Sequence, residues 1–374
     1  MHKREFNGLC GAPSLLGFGA MRLPCLGKNE SSIDMERTGE MIDSAVKGGV
    51  SYFDTAYVYH GGNSETALRE LLVKRHPRES FLLADKMPVW EVRSKRDFEP
   101  IFLRQLERCG VDYFDFYLLH AMDTGKLPAM KKHGGFEYMQ KLKKEGRIKN
   151  MGFSFHDSPE VLEDVLDAFP GADFVQLQIN YLDWTELSSR RMYEIAEERG
   201  VPVVVMEPVR GGMLSRLPAS LSAPLDRLVP AASQASLALR FCASLPMVAT
   251  VLSGMSSLFQ VEENVAVLGD FTPVTEAERA LLFSVAEAIS ALKPTECTQC
   301  AYCMPCPEGV LIPDVFRIFG EWALGGDFWA AKAAYDALSG GRAEDCIGCG
   351  VCQERCPQKI RIPAVMEKLA AQGM

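Results

Sequence analysis

The sequence predicts an α/β chain in which a (β/α)8 TIM barrel is followed by a small α-helical domain built around cysteine. Three observations carry that reading. Short β-branched or aromatic runs alternate with helical patterns over residues 1 to about 290; eight such runs can be counted; and two dense cysteine rows lie beyond them. Eight parallel strands with following helices in roughly 290 residues match the size and number of a closed barrel. An open doubly wound sheet is the alternative, but no G-x-G-x-x-G follows the first run.

The strand runs, in order, are Leu15 to Met21, Val50 to Asp54, Phe81 to Lys86, Phe114 to Leu119, Ile148 to Ser154, Phe174 to Gln178, Val203 to Met206 and Ala249 to Ser253. Between them lie amphipathic stretches at Met35 to Lys47, Glu65 to Lys74, Phe98 to Cys109, Phe136 to Glu145, Glu160 to Phe169, Leu187 to Arg199 and Ala231 to Ala243. Strands alternating with helical patterns of that length read as repeated βα units. Val274 to Ala291 reads as a closing helix, and Lys293-Pro294-Thr295 divides a barrel of residues 1–292 from a cysteine domain of residues 293–374. In the latter, helical patterns from Pro313 to Trp322 and Trp329 to Leu338 are separated by Gly325-Gly326 and ended by Gly340-Gly341. Val315, Phe316, Phe319, Trp322 and Tyr335 are expected to pack its core.

Composition narrows the function. A chain of 374 residues with 47% hydrophobic content can bury a sizeable core, and its net charge of -9 contains no block of like charge. The one basic cluster, Lys141 to Lys149, falls at a helix end, so nucleic acid is not an expected partner. Residues 1–13 lack the apolar core of a signal peptide and no apolar run reaches membrane-spanning length, so a soluble, cytoplasmic protein is expected. Eight of the twelve cysteines fall in the two rows; Cys10, Cys25, Cys109 and Cys242 are scattered and read as small buried hydrophobes in a reducing compartment.

The first row is Cys297, Cys300, Cys303 and Cys306 before Pro307; the second is Cys346, Cys349, Cys352 and Cys356 before Pro357. Three thiols at three-residue intervals hold three irons of one cubane, and a fourth followed by proline can reach another cluster. Two [4Fe-4S] clusters follow from that spacing. Zinc knots and disulfides are the alternatives, but zinc sites come as separated C-x2-C pairs. If the fourth thiols cross over, Cys297, Cys300, Cys303 and Cys356 form one set and Cys306, Cys346, Cys349 and Cys352 the other. The x2 spacing before Cys306, against x3 before Cys356, leaves the uncrossed pairing open. A helical rather than sheet-built domain of this kind resembles the α-helical two-cluster ferredoxins.

Active sites of such barrels lie at the C-terminal ends of the strands. Asp54 ends the second run, Tyr59 follows in its loop, Lys86 ends the third and His120 follows the fourth. Each alone has a bland explanation as a cap, a loop-packing ring, a solvated cation or a core imidazole. Falling together on successive strand tips, they read as a proton donor. Lys86 is expected to lower the pKa of the Tyr59 phenol, Asp54 to hold Lys86, and His120 to hydrogen-bond a substrate carbonyl and help pass the proton.

The stretch Phe53 to Glu65 resembles the aldo-keto reductase signature that carries the catalytic aspartate and tyrosine, and Lys86 and His120 match the rest of that family's tetrad. Similarity continues at Gly17-Phe18-Gly19, Gly152-Phe153-Ser154, Gln176 to Asn180 and Gly254 to Asn264, and the tail resembles the branch with a C-terminal ferredoxin-like domain. The resemblance implies NAD(P)H across the barrel mouth, with Ser154 and Gln176 on the nicotinamide carboxamide. Val209, Arg210, Gly211 and Met213 would cover the pyrophosphate, and Gly254, Ser256, Gln260, Glu263 and Asn264 would hold the adenosine side. Two positions depart from the family: Phe155 replaces an asparagine, and Met206 stands where a tyrosine often stacks. No Lys or Arg occurs between Arg240 and Arg279, so the choice between NADP(H) and NAD(H) stays open, and Ser256 and Ser257 read equally well as helix caps.

Three functions follow. In the first, an oxidoreductase reduces a small carbonyl substrate with NAD(P)H, and the clusters are structural or sense redox state. In the second, a bound flavin or a redox partner protein at the cluster domain couples single electrons to reduction of a carbonyl or activated double bond. In the third, the barrel senses nucleotide without turnover, which the intact tetrad argues against.

Overall fold

The computed structural model describes residues 1–27, 29–186, 188–230 and 232–372; the expected helix bounds at Leu187 and Ala231 lie outside these. Its eight strands close into a barrel in chain order, each parallel to its neighbours. The chain is thus the (β/α)8 barrel that the alternation implied. Contacts divide it into two compact units, Met1–Pro208 with Ser236–Val274, and Val209–Ala235 with Thr275–Met374.

In the first unit the strands are β1 (Leu16–Gly19), β2 (Tyr52–Asp54), β3 (Leu82–Met87), β4 (Phe114–Met122), β5 (Ile148–Phe155), β6 (Phe174–Gln178), β7 (Val203–Met206) and β8 (Val248–Gly254). The helices are α1 (Met35–Lys47), α2 (Ser64–Leu68), α3 (Phe98–Cys109), α4 (Leu127–His133), α5 (Gly135–Lys144), α6 (Pro159–Ala168), α7 (Asp183–Glu186) and α8 (Ser189–Glu198). The helix expected from Glu65 to Lys74 is α2 followed by a π-turn over Arg69–Val73. The α4 helix lies between β4 and α5, where no helical stretch was expected. Pro128 begins it without losing a needed donor, and Gly134 ends it in the left-handed conformation.

Side chains on a strand alternate in direction. One set fills the barrel with Tyr52, Ala84, Phe116, Leu118, Phe174, Val204 and Leu252. Three aromatic rings meet edge to face, Tyr52 with Phe116 at 4.9 Å and Phe116 with Phe174 at 5.0 Å between centroids. Gly152 makes that possible: a Cβ there would lie 2.5 Å from the Phe174 carbonyl oxygen. Two residues further along the same strands, period two delivers Asp54, Lys86, Ser154, Gln176 and Met206 to the mouth, above this packed layer.

The second unit holds α9 (Ala219–Leu228), α12 (Glu276–Leu292), α13 (Ile312–Ala323), α14 (Phe328–Asp336), α15 (Val351–Glu354) and α16 (Ile362–Ala371); α10 (Gln234–Ala243) crosses between units and α11 (Leu258–Gly269) belongs to the first. A capping box of Thr275 and Glu278 starts α12, and α9 packs against it. That packing is why residues 209–235 and 275–292 group with the cysteine segment here, whereas the sequence boundary was drawn at 292/293. Val315, Phe316, Phe319 and Tyr335 are buried in one cluster, with Trp322 packed at its side. No helix is long and apolar enough to cross a membrane among the described residues.

Candidate active site

Lys86 is the centre of the barrel mouth. Its Nζ is fully buried and donates to Asp54 Oδ1 at 2.5 Å, the Thr55 carbonyl at 2.7 Å and Tyr59 Oη at 3.3 Å. All three donors of the ammonium are therefore used, two on a strand tip and one on the phenol. Strand pairing sets this geometry: Asp54 is in register with Ala84, two residues before Lys86. His120 lies edge-on to Tyr59 at 6.1 Å between centroids, and Trp90 leans over His120 at 5.1 Å. The structure thus brings all four sequence-predicted tetrad residues together.

Electrostatics corrects one expectation. The Tyr59 phenol is held well above its ordinary value, not below it. Burial is the main cause, the charges of Asp54, Glu207 and Asp85 add to it, and Arg22 opposes it. Lys86 shares its charge with Asp54, so its net field at the phenol is small in the resting protein. Burial also raises Asp54, although Lys86 pulls it down. His120 is driven well below the imidazole range by burial, with Lys86 and His156 adding, so it is neutral at pH 7.

The expected cofactor residues fall into three groups. Ser154 Oγ accepts the Ala121 amide at 2.7 Å, and Gln176 donates to Met206 Sδ at 3.5 Å while its buried Oε1 has no partner. A buried amide oxygen without a donor fits a carboxamide NH2. At the β8 tip, the Ser256 amide donates to Gln260 Oε1 at 2.7 Å, Ser257 caps α11, and Asn264 donates to Ser253 Oγ at 3.0 Å. Gly254 is exposed and Glu263 half-buried beside them. Val209, Arg210, Gly211 and Met213 lie in the second unit, where Arg210 is ion-paired with Glu296.

Within that unit Cys297, Cys300, Cys303 and Cys356 line one pocket with Ile312 and Phe316. Burial pushes the Cys297 thiol up to about 12, and the Cys300 and Cys356 charges add to it. Cys303 is raised in the same way, by burial and then by Cys300, Cys297 and Cys356. Cys352 is raised by burial and by Cys346, Cys306 and Cys349. The thiols therefore fall into two sets of four, each drawing its fourth member from the other row. Four thiolate-forming side chains gathered at one place are the donor chemistry of a metal-cluster site, and both sets offer it.

Sequence reasoning missed several neighbours. Arg22, three residues past β1, pairs with Glu207 at 3.8 Å, and its carbonyl accepts from Ser256 Oγ at 2.7 Å. The strand-tip rule that found Asp54 would have found it. Trp90 carries no sequence signal. Asp85, the outward neighbour of Lys86, meets Glu65 and Cys109, all fully buried, with Arg108 donating to Glu65 at 2.8 Å.

A family model described as the aldo/keto reductase family matches residues 15–226, more than half of the chain, and one described as a 4Fe-4S dicluster domain matches residues 296–361. Probable aldo-keto reductase 1 of Glycine max is 28% identical over 207 residues, 53% of this chain and 57% of that protein, so the chain spans little more than half of that relative. L-galactose dehydrogenase of Arabidopsis thaliana is 28% identical over 273 residues, 68% of this chain and 83% of that protein. Among solved structures, an aldo-keto reductase from Bacillus halodurans in its holo form superposes with a TM-score of 0.64 at 28% identity, over 76% of this chain and 96% of that one. An aldo-keto reductase from Klebsiella pneumoniae in complex with NADPH shares the fold at 20% identity, with a TM-score of 0.61 over 76% of this chain and 96% of that one.

Proposed function

Since the chain belongs to the aldo/keto reductase family and ends in a 4Fe-4S domain, we propose that this oxidoreductase reduces a small carbonyl compound with NAD(P)H at Asp54, Tyr59, Lys86 and His120. We assign two [4Fe-4S] clusters, one to Cys297, Cys300, Cys303 and Cys356 and the other to Cys306, Cys346, Cys349 and Cys352. The observation that carries the reading is the buried Lys86 ammonium, bonded at once to the Asp54 carboxylate and the Tyr59 hydroxyl.

NAD(P)H supplies the hydride that adds to the carbonyl carbon. Gln176 Oε1 would accept from the carboxamide, with Ser154 in register beside it on β5. Neutral His120 donates to the substrate oxygen and turns the carbonyl toward Tyr59. As the C=O π bond breaks, the Tyr59 proton goes to that oxygen and an alcohol results. The phenolate left behind faces Lys86 Nζ at 3.3 Å, which stabilises it until solvent returns a proton. Trp90 makes an aromatic wall over His120 and shields the reacting carbonyl from water.

The test follows nicotinamide oxidation with a panel of aldehydes and ketones, with NADPH and NADH in turn. Binding of either nucleotide without reduction of any carbonyl would overturn the reading. Met206 and Phe155 depart from the usual nicotinamide surroundings, which favours the coupled alternative of a bound flavin and a redox partner at the cluster domain. A stoichiometric flavin released on denaturation decides for that alternative.

A further inference from the structure

The strand that carries His120 holds one residue more than the strand beside it. Leu119 on β4 pairs with Phe153 on β5, but the next pair is Met122 with Phe155, so β4 takes three steps where β5 takes two. This is a β-bulge, a device that bends a strand and re-aims the side chain next to it. Ala121, directly after His120, takes up the bend at φ 57. In that left-handed region a Cβ crowds the following carbonyl, and only glycine enters it without cost.

A conformation of this kind persists where its surroundings impose it. Both backbone groups of Ala121 are held by side chains. Its amide donates to Ser154 Oγ on β5 at 2.7 Å, and its carbonyl accepts from Lys126 Nζ at 2.7 Å. Lys126 is aimed in turn by Asp123, whose carboxylate pairs with the ammonium and accepts the Lys126 amide at 2.9 Å. On the far side of the bulge the Met122 carbonyl accepts the His156 amide at 3.2 Å. Ala121 and Ser154 are buried, so solvent does not replace these partners, and a cation's bond to a carbonyl is stronger than a neutral one.

We infer that Lys126 is a positioning residue for His120: by holding the Ala121 carbonyl it keeps β4 kinked, and the kink points the imidazole at the carbonyl to be reduced. The inference rests on the role given to His120 in the reaction proposed above. Ser154 holds the other end of the same residue. A hydroxyl accepts and donates at once, so this bond leaves the Ser154 O–H for the nicotinamide side.

The experiment joins steady-state kinetics of the full-length protein, with the best carbonyl of the panel and its nucleotide, to hydrogen exchange around Ala121 in nucleotide-free protein. A reacting group misplaced by about 1 Å costs up to about 10²-fold, and a loosened kink should cost about tenfold. Lys126→Met should therefore lower kcat about tenfold, leave the carbonyl KM within about twofold and quicken exchange around Ala121 about tenfold. Lys126→Arg still offers a donor to the Ala121 carbonyl and should stay within about threefold of the wild type. Adding Ala121→Gly to Lys126→Met should restore kcat to about a third of the wild-type value or more, because glycine keeps the left-handed kink without the clamp. An unchanged kcat in Lys126→Met, or a double variant no faster than Lys126→Met, would overturn the inference. A change confined to KM would overturn it too, since Lys126 would then bind substrate and not position His120. If Lys126→Met does not fold, Asp123→Asn decides: kcat should fall about threefold and recover with Ala121→Gly, and an unchanged kcat there overturns the inference. A wild type that reduces no carbonyl removes both the reading beneath and the inference, a result distinct from an active wild type beside unaffected variants.

Discussion

Replacing Tyr59 by Phe removes one oxygen and leaves the rest of the mouth in place. Lys86 keeps its bonds to Asp54 at 2.5 Å and to the Thr55 carbonyl at 2.7 Å, so the ammonium is not stranded. The fold should lose only one modest hydrogen bond, about 0.5–1.5 kcal/mol. The chemical loss is larger. Two unit charges 3.3 Å apart interact by roughly 5 kcal/mol at an effective dielectric near 20, and Asp54 offsets part of that. General-acid catalysis is worth about 10²–10⁴ in rate, and the surviving field of Lys86 places Tyr59→Phe near the middle, at about 10³ in kcat. NAD(P)H affinity, read by fluorescence quenching, should change by less than about threefold, because the phenol takes no part in the nucleotide contacts assigned here. A variant with kcat within tenfold of the wild type would refute the proton-donor role. Loss of nucleotide affinity in step with kcat would refute the separation of donor from binding site.

Crossed thiol pairing predicts that Cys346→Ser with Cys356→Ser damages both clusters and leaves almost no iron, whereas row-wise pairing would leave half; iron analysis after anaerobic reconstitution distinguishes them. Gly211→Ala should cost roughly 2–4 kcal/mol or abolish iron loading, because at Gly211, which has φ 63, a Cβ would meet the Thr298 carbonyl oxygen, one residue past Cys297, at 2.3 Å; unchanged iron content and denaturation midpoint would contradict that contact. The His156 imidazole is pulled down to about 4 by burial, with Lys126 adding, so the folded chain stays unprotonated while the unfolded chain binds a proton below about 6.5. Stability should therefore fall by on the order of 1–2 kcal/mol as pH drops from 6.5 towards 4, and His156→Gln should flatten that fall in urea titrations; an identical slope in the variant would refute it.

The barrel and its mouth were legible because one rule, alternation with period two, acts on every strand. Tyr52 and Asp54, Ala84 and Lys86, Phe174 and Gln176 are successive inward positions, apolar below and polar above, and strand ends alone locate them. The thiol rows were legible as the mark of a 4Fe-4S domain because their spacing is local. What stayed hidden depends on elements far apart in sequence. Arg22 and Ser256 meet through β1 and β8, and residues 209–235 leave the barrel unit because α9 packs on α12. Neither juxtaposition has a period or a composition. The direction of the Tyr59 shift was missed for a related reason, since the sequence shows the cation but neither the burial that chiefly raises the phenol nor the carboxylates that add to it.

Those carboxylates bear on how the phenol can act at all. Asp85 and Glu65 are both fully buried and close together, and burial, then the Glu65 charge, holds the Asp85 carboxyl well above its usual range. Asp85 therefore gives up its proton less readily than an ordinary carboxyl, while its Oδ1 accepts the Lys86 amide at 2.8 Å and Arg108 balances Glu65. Were both ionised, a further negative charge would stand behind Lys86 and hold the Tyr59 proton more tightly. A raised Asp85 carboxyl lessens that charge, so that Arg22 is opposed at the phenol by Asp54 and Glu207 first and by Asp85 after them. The resting balance still favours the protonated phenol, which is the form a donor must start in. In the reaction proposed above, what would tip it is the negative charge developing on the substrate oxygen, a stronger base than any carboxylate in the site, so proton transfer would wait for hydride addition and not precede it.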